Sequence, residues 1–82
     1  MRDIGPHGGL ILKLIREQKG FTQDQVTEMM DIPRRTYQRW ESGQSEPEFG
    51  VVFMICECVF KVDLLDAITL AREYESERKR AG

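Results

Sequence analysis

Along the chain, apolar residues recur at helical intervals, and nowhere do they alternate as in a half-buried strand. In GLILKLIREQKG, apolar positions 10, 11, 12, 14 and 15 run toward Gly20, a good left-handed stop, and predict a first helix over 8–19. Thr22 then offers an N-cap oxygen, and Gln25, three residues on, completes a capping box. Phe21 before that cap and Val26 four positions after it fit a hydrophobic staple, so a second, two-turn helix is expected over 23–30. Asp31 tolerates the left-handed conformation and Pro33 suits a first helical turn. Together they predict a tight break and a third helix over about 33–42, closed by Gly43. Pro47 is read as the opening of a fourth helix over 47–60, apolar at 49, 51, 52, 53, 55, 56, 59 and 60. A fifth is expected from about Leu64 to Tyr74 or beyond, with the polar residues 75–82 fraying. The expected class is all-α, with five helices in one domain over 1–82 and a core over about 8–74.

The third helix carries the most informative pattern. In IPRRTYQRWESG, Ile32, Thr36, Tyr37 and Trp40 share one helical stripe, while Arg34, Arg35, Gln38 and Arg39 point the other way. Two short helices joined by about three residues, the second with a polar outer face, make a helix-turn-helix over about 22–42. In that motif the second helix enters the major groove and the first crosses the backbone. The side chains suit that role, since arginine donates two parallel hydrogen bonds to guanine O6 and N7, and glutamine pairs with adenine. A solvated surface helix would more often mix lysine and glutamate, yet the outward face of 34–39 holds no acid. Tyr37 and Trp40 could instead stack on single-stranded bases, but their spacing with Ile32 favours core packing.

Composition and charge narrow the classes further. The chain has 82 residues, 40% hydrophobic and 32% charged, with a net charge of −2. That balance argues against an unspecific polyanion binder, but the charge is segregated. Residues 33–42 carry three arginines and one glutamate, whereas 46–66 carry five acids and one lysine. No apolar run approaches a membrane span and the amino terminus lacks a signal-peptide segment, so a cytoplasmic location is expected. Cys56 and Cys58 are read as reduced thiols acting as small apolar residues, and the one histidine, His7, is assigned no role. Asp63 and Asp66 flank a helix start, where acids favour the dipole. With no nucleophile–base arrangement and no glycine-rich phosphate loop, neither catalysis nor a metal or cofactor is expected.

The run Thr22-Gln23, Val26, Ile32, Tyr37, Trp40-Glu41-Ser42-Gly43 and Pro47 resembles the Cro/repressor-type (lambda-repressor-like, XRE) helix-turn-helix family of phage repressors and their bacterial relatives. Val52, Ile55, Cys56 and Val59 are similar to that family's fourth helix, and the resemblance covers about residues 8–70. It implies a compact five-helix DNA-binding domain. By position, it implies an ion pair between Arg16 and Glu41, base reading by Arg34, Arg35 and Arg39 with Gln38 as a weaker candidate, and a phosphate contact at Gln23. Thr22, Thr36, Ser42 and Gln44 are placed to meet phosphates as well. The sequence departs from the pattern at Thr27, where alanine is usual and the hydroxyl is expected to bond back to the preceding turn, and at Asp31, where glycine is usual. The loop Gln44–Glu48 is acidic where relatives often carry bases, which shifts the burden of binding onto helix three. Lys13, Lys19 and Arg2 are candidates to compensate.

Helices four and five hold more apolar surface than one face buries. Either they cover each other or the remainder meets a second subunit, and a symmetric homodimer is the favoured expectation. The candidate interface is Phe53, Phe60, Leu64, Ile68 and Tyr74. The expected function is a sequence-specific regulator of transcription bound to double-stranded DNA, acting as a homodimeric repressor on a palindromic operator. The rival reading is an antitoxin-like or phage accessory module whose helix four–five surface binds a partner protein.

Overall fold

Local signals set each boundary of the first three helices in the computed structural model, which describes residues 7–81, with side chains through Glu77. Helix α1 spans Gly8–Lys19, α2 Gln23–Met30 and α3 Arg34–Ser42. Gly20 adopts φ 82°, and the following Phe21 N–H donates to the Arg16 carbonyl at 3.0 Å, which closes α1 in the expected left-handed cap. The Thr22–Gln25 capping box is complete: Gln25 N–H donates to Thr22 Oγ1 at 3.1 Å, and Thr22 N–H to Gln25 Oε1 at 2.8 Å. Asp31 takes φ 56°, ψ 48° in the turn, and the Thr27 hydroxyl donates to the Asp24 carbonyl at 3.0 Å. Pro33 is the N-cap of α3 rather than its first residue, and Gly43, at φ 87°, ends it.

The amino end of α1 is better capped than the sequence suggested. His7 Nδ1 accepts from the Leu10 N–H at 3.1 Å, and Glu46 Oε2 accepts from the Gly8 N–H at 2.9 Å, so both satisfy donors that helix geometry leaves open. The bond from Glu46 also corrects the fourth helix. Pro47 does not open it; with Glu46 drawn to α1 and Pro47 buried over Gly8, the chain stays extended through Glu48. Helix α4 therefore starts later, at Phe49, and runs only to Met54. It continues as a π-helical turn over Ile55–Val59, where the Phe60 N–H donates to the Ile55 carbonyl at 3.1 Å. That widened turn leaves Ile55, Cys56, Val59 and Phe60 all buried. Lys61, at φ 58°, then turns the chain toward α5.

Helix α5 spans Leu64–Ala81, so it continues beyond Tyr74 through residues 75–81. Glutamate, arginine, lysine and alanine dominate this stretch and Gly82 is the first breaker, so helix propensity is sustained. Helix α1 packs against α3 and α5, while α2 packs against α3 and the π-helical turn. Their shared core comprises Leu12, Ile15, Val26, Tyr37, Ile55, Cys56, Ala67 and Ala71. At one crossing, an added Cβ on Gly9 would lie 1.6 Å from the Trp40 carbonyl oxygen, so only glycine allows α1 to approach the end of α3 this closely. Nothing in the sequence pattern assigned Gly9 that role, although a second glycine inside a helix is a local cost that calls for a packing reason.

Of the two cysteines, Cys56 is buried as expected, but Cys58 is exposed on the π-helical turn. Burial pushes the Cys56 thiol up to about 11. Among the described residues, no helix is long and apolar enough to cross a membrane.

Candidate nucleic-acid interface

Helix α3 divides cleanly between inside and outside. Tyr37 is fully buried, and its ring meets the half-buried Trp40 edge-on, with centroids 6.0 Å apart at 68°. Arg34, Arg35, Gln38 and Arg39 are all exposed on the other side. Arg35, Gln38 and Arg39 line a shallow, open recess with Ser42 and Gln44, so five of the expected contact residues come together. Arg35 and Arg39 form no ion pair among the described residues, whereas Arg34 Nε lies 3.0 Å from Asp24 Oδ1 of α2.

The orientation of α3 is fixed from below by a buried ion pair. Arg16 Nε and Nη2 donate to the two Glu41 carboxylate oxygens at 2.8 and 3.1 Å, and Arg16 Nη1 donates to the Phe21 carbonyl at 2.9 Å. Thus one guanidinium ties α1, the entry to α2 and the end of α3 together. Burial opposes the charge on Glu41, but hydrogen bonds from Arg16 and Gln23 outweigh it and hold the carboxyl below its ordinary value. The hydrogen bond to Glu41 likewise raises Arg16. The Tyr37 hydroxyl is buried close to this carboxylate without a hydrogen bond of ordinary geometry, and burial with that neighbouring charge raises the phenol far above its usual value.

Several expected phosphate contacts turn out to have structural duties. Gln23 is half-buried; its Nε2 donates to Glu41 Oε1 at 2.9 Å, and its Oε1 receives a long bond from Gln38 Nε2 at 3.4 Å. A polar chain therefore runs from the ion pair to the outer face of α3, which the sequence pattern did not reveal. The Thr22 hydroxyl accepts in the capping box and keeps its own proton, so it remains available as a phosphate donor. Ser42 Oγ donates its single proton to the Arg39 carbonyl at 3.1 Å, which leaves it only acceptor capacity. Thr36 is half-buried beside the ring stripe and Gln44 is exposed.

The dimer face needs more revision. Phe60 is 2% exposed and Leu64 8%, because both lie in the core of this chain, so neither belongs to an outward apolar face. Ile68 is half-buried, Phe53 and Tyr74 are exposed, and the larger exposed apolar groups are Phe49, at 73%, and Leu65, at 71%. Arg2 lies outside the described residues.

Two short helices across a left-handed turn, the second braced by an ion pair and presenting arginine outward, define a helix-turn-helix domain. The chain belongs to the XRE-type helix-turn-helix family HTH_3, a family of DNA-binding domains, whose model matches residues 12–65. It is also similar to the Type II methyltransferase M.MspI of Moraxella sp, with 47% identity over 36 residues. That stretch is 44% of this chain but only 9% of the methyltransferase. No solved structure matches the chain.

Proposed function

We propose that this chain is a sequence-specific, double-stranded-DNA-binding regulator of transcription, a cytoplasmic homodimeric repressor that sets α3 into the major groove. One observation carries this reading: the arginine and glutamine side chains of α3 face solvent together while its rings face the core. An exposed guanidinium over a braced helix is arranged for base edges, where each bidentate contact discriminates by roughly 1–3 kcal/mol. Arg35 and Arg39, free of ion pairs among the described residues, are the principal readers. Gln38 adds an amide suited to adenine. Thr22, Gln44 and the second N–H of Gln23 are the phosphate donors. The acidic loop is less of an obstacle than its composition suggests, since Glu46 is bound to the amino end of α1.

The exposed Phe49, Phe53 and Leu65, together with Tyr74, support pairing of two copies through α4 and α5. A two-fold dimer would set the recognition helices about 34 Å apart and require a palindromic site. The same exposed residues favour a second reading, in which an antitoxin-like or phage accessory module docks a different protein there. Sedimentation of the pure chain separates the two: a stable homodimer favours the repressor, and a monomer favours the docking module. No methyltransferase chemistry is carried over from a match to so small a part of that protein. The chain acts through binding, with no catalytic step assigned to it.

Selection of bound duplexes from a random pool tests the main reading. The expected result is a palindrome with guanines at matching half-site positions, whose binding is lost in Arg35→Ala and Arg39→Ala while the helical signal is kept. Wild-type affinity in both variants would refute the assignment of α3.

A further inference from the structure

Asp24 is out of place on a surface that meets a polyanion. It lies in the first turn of α2, is 63% exposed at its side chain, and stands beside Gln23 and the arginine face of α3. A carboxylate there repels phosphate, so on charge alone it weakens every complex the domain makes with DNA. Its contact explains its presence differently. Asp24 Oδ1 lies 3.0 Å from Arg34 Nε, the inner nitrogen of the guanidinium, and no hydrogen bond or ion pair among the described residues engages the two terminal nitrogens.

Building on the DNA-reading role of α3, we propose that Asp24 is a positioning residue for base readout. It holds Arg34 by Nε so that Nη1 and Nη2 point end-on into the major groove and select guanine through O6 and N7. Two features make this geometry productive. A guanidinium is planar, so fixing Nε and the direction of one edge fixes the plane of the opposite edge. Arg34 is also the first residue of α3, and the amino-terminal residues of a recognition helix are those that reach base edges. An untethered arginine at this exposed position would reach phosphates on either side of the groove as readily as a base. Asp24 penalises the phosphate poses, which bring its own charge close to the backbone, and keeps the base-facing one. Gln38, one turn further along α3, has a longer bond to Gln23 at 3.4 Å, so two members of the reading face have partners on α2.

The two roles open to Asp24 predict opposite signs. As a merely repulsive acid, its removal tightens binding to every sequence alike. As a positioning residue, its removal loosens discrimination at the single base step that Arg34 reads. The experiment uses the full chain as wild type, Asp24→Ala, Asp24→Asn and Arg34→Ala, with selection from random duplexes followed by competition titrations at one fixed salt concentration. Wild type is expected to prefer guanine at one position per half-site that Arg34→Ala no longer selects. Asp24→Ala should lower that preference by roughly two- to fivefold, the range that an exposed ion pair supplies. Asp24→Asn, which keeps the size but drops the charge, should show a smaller loss at the same position. Positions read by Arg35 and Arg39 should be unchanged. An undiminished guanine preference in Asp24→Ala, or uniformly tighter binding to all duplexes, overturns this inference alone. A wild-type chain that enriches no sequence overturns the DNA-reading assignment with it.

Discussion

Replacing Glu41 by glutamine changes one atom and tests the brace beneath the recognition helix. The carboxylate accepts three hydrogen bonds: Arg16 Nε reaches Oε2, while Arg16 Nη2 and Gln23 Nε2 share Oε1. A glutamine has one oxygen and one amino group, so either orientation sets an N–H against at least one of these donors. It also leaves the Arg16 guanidinium, 12% exposed, without its counter-charge. Removing one partner of a fully buried pair costs about 3–5 kcal/mol. Here Arg16 keeps its bond to the Phe21 carbonyl and has Glu17 at 3.9 Å, so the expected loss is smaller, about 2–4 kcal/mol. A chain of 82 residues has a total stability of about 4–12 kcal/mol, so this is a large share.

Urea and thermal unfolding followed by circular dichroism should show the variant's Tm lower by on the order of 10–20 °C at neutral pH. The sign of the pH dependence follows from the depressed folded-state value of Glu41. Its contribution is fully present above the unfolded value of 4.5 and is lost as pH falls through the lower folded value. The wild type should therefore lose part of its advantage over Glu41→Gln in acid, and the two stability curves should converge. A companion double variant, Arg16→Met with Glu41→Leu, should recover much of the loss, because an apolar pair leaves no buried charge. A Glu41→Gln domain within about 0.5 kcal/mol of wild type at neutral pH would refute the buried-brace account, since losses that small are typical of ordinary surface substitutions.

Three further outcomes are expected. Gly9→Ala, whose Cβ would meet the Trp40 carbonyl oxygen at 1.6 Å, should lower stability by about 3 kcal/mol or more, whereas Gly50→Ala, with nothing within 4 Å, should raise it by about 0.5–1 kcal/mol; urea midpoints of both variants check the contrast. Lys61→Gly should raise Tm by relieving the left-handed conformation at φ 58°, a gain of about 1 kcal/mol that a lysine-like or lower midpoint would contradict. In alkali, the protonated Cys56 thiol favours the folded state below its unfolded value of 9.0, and that contribution is lost as pH rises through about 11; the urea midpoint should fall across this window and fall less in Cys56→Ala.

Residue patterning alone made legible whatever depends on neighbours within a turn or two, and the Arg16–Glu41 pair, 25 positions apart, came only with the family resemblance. The Thr22 box, the left-handed Gly20, Asp31 and Gly43, and the split of α3 into ring and arginine faces each follow from residues at most four positions apart. The misreadings share the opposite property. Pro47 signals a helix start, yet a bond from Glu46 to Gly8, 38 positions away, keeps the chain extended until Phe49. Phe60 belongs to an apolar stripe that looked outward only because the π-helical turn has no local signature. The bond from the Gln23 amide to Glu41, across 18 positions, was missed for the same reason, and it leaves the second N–H of that amide for the proposed phosphate contact. The same division applies to function. Which side chains suit DNA is written in their chemistry, but which of them are held still is decided by groups elsewhere in the chain. Arg34 tied to Asp24 and Gln38 tied through Gln23 to Glu41 are oriented side chains, whereas Arg35 and Arg39 have no such tether among the described residues. Oriented side chains lose less conformational freedom on binding and tolerate fewer wrong partners. On the proposed reading, the bases met by Arg34 and Gln38 should therefore be discriminated more strictly than their number of contacts alone implies, and those met by Arg35 and Arg39 with more latitude.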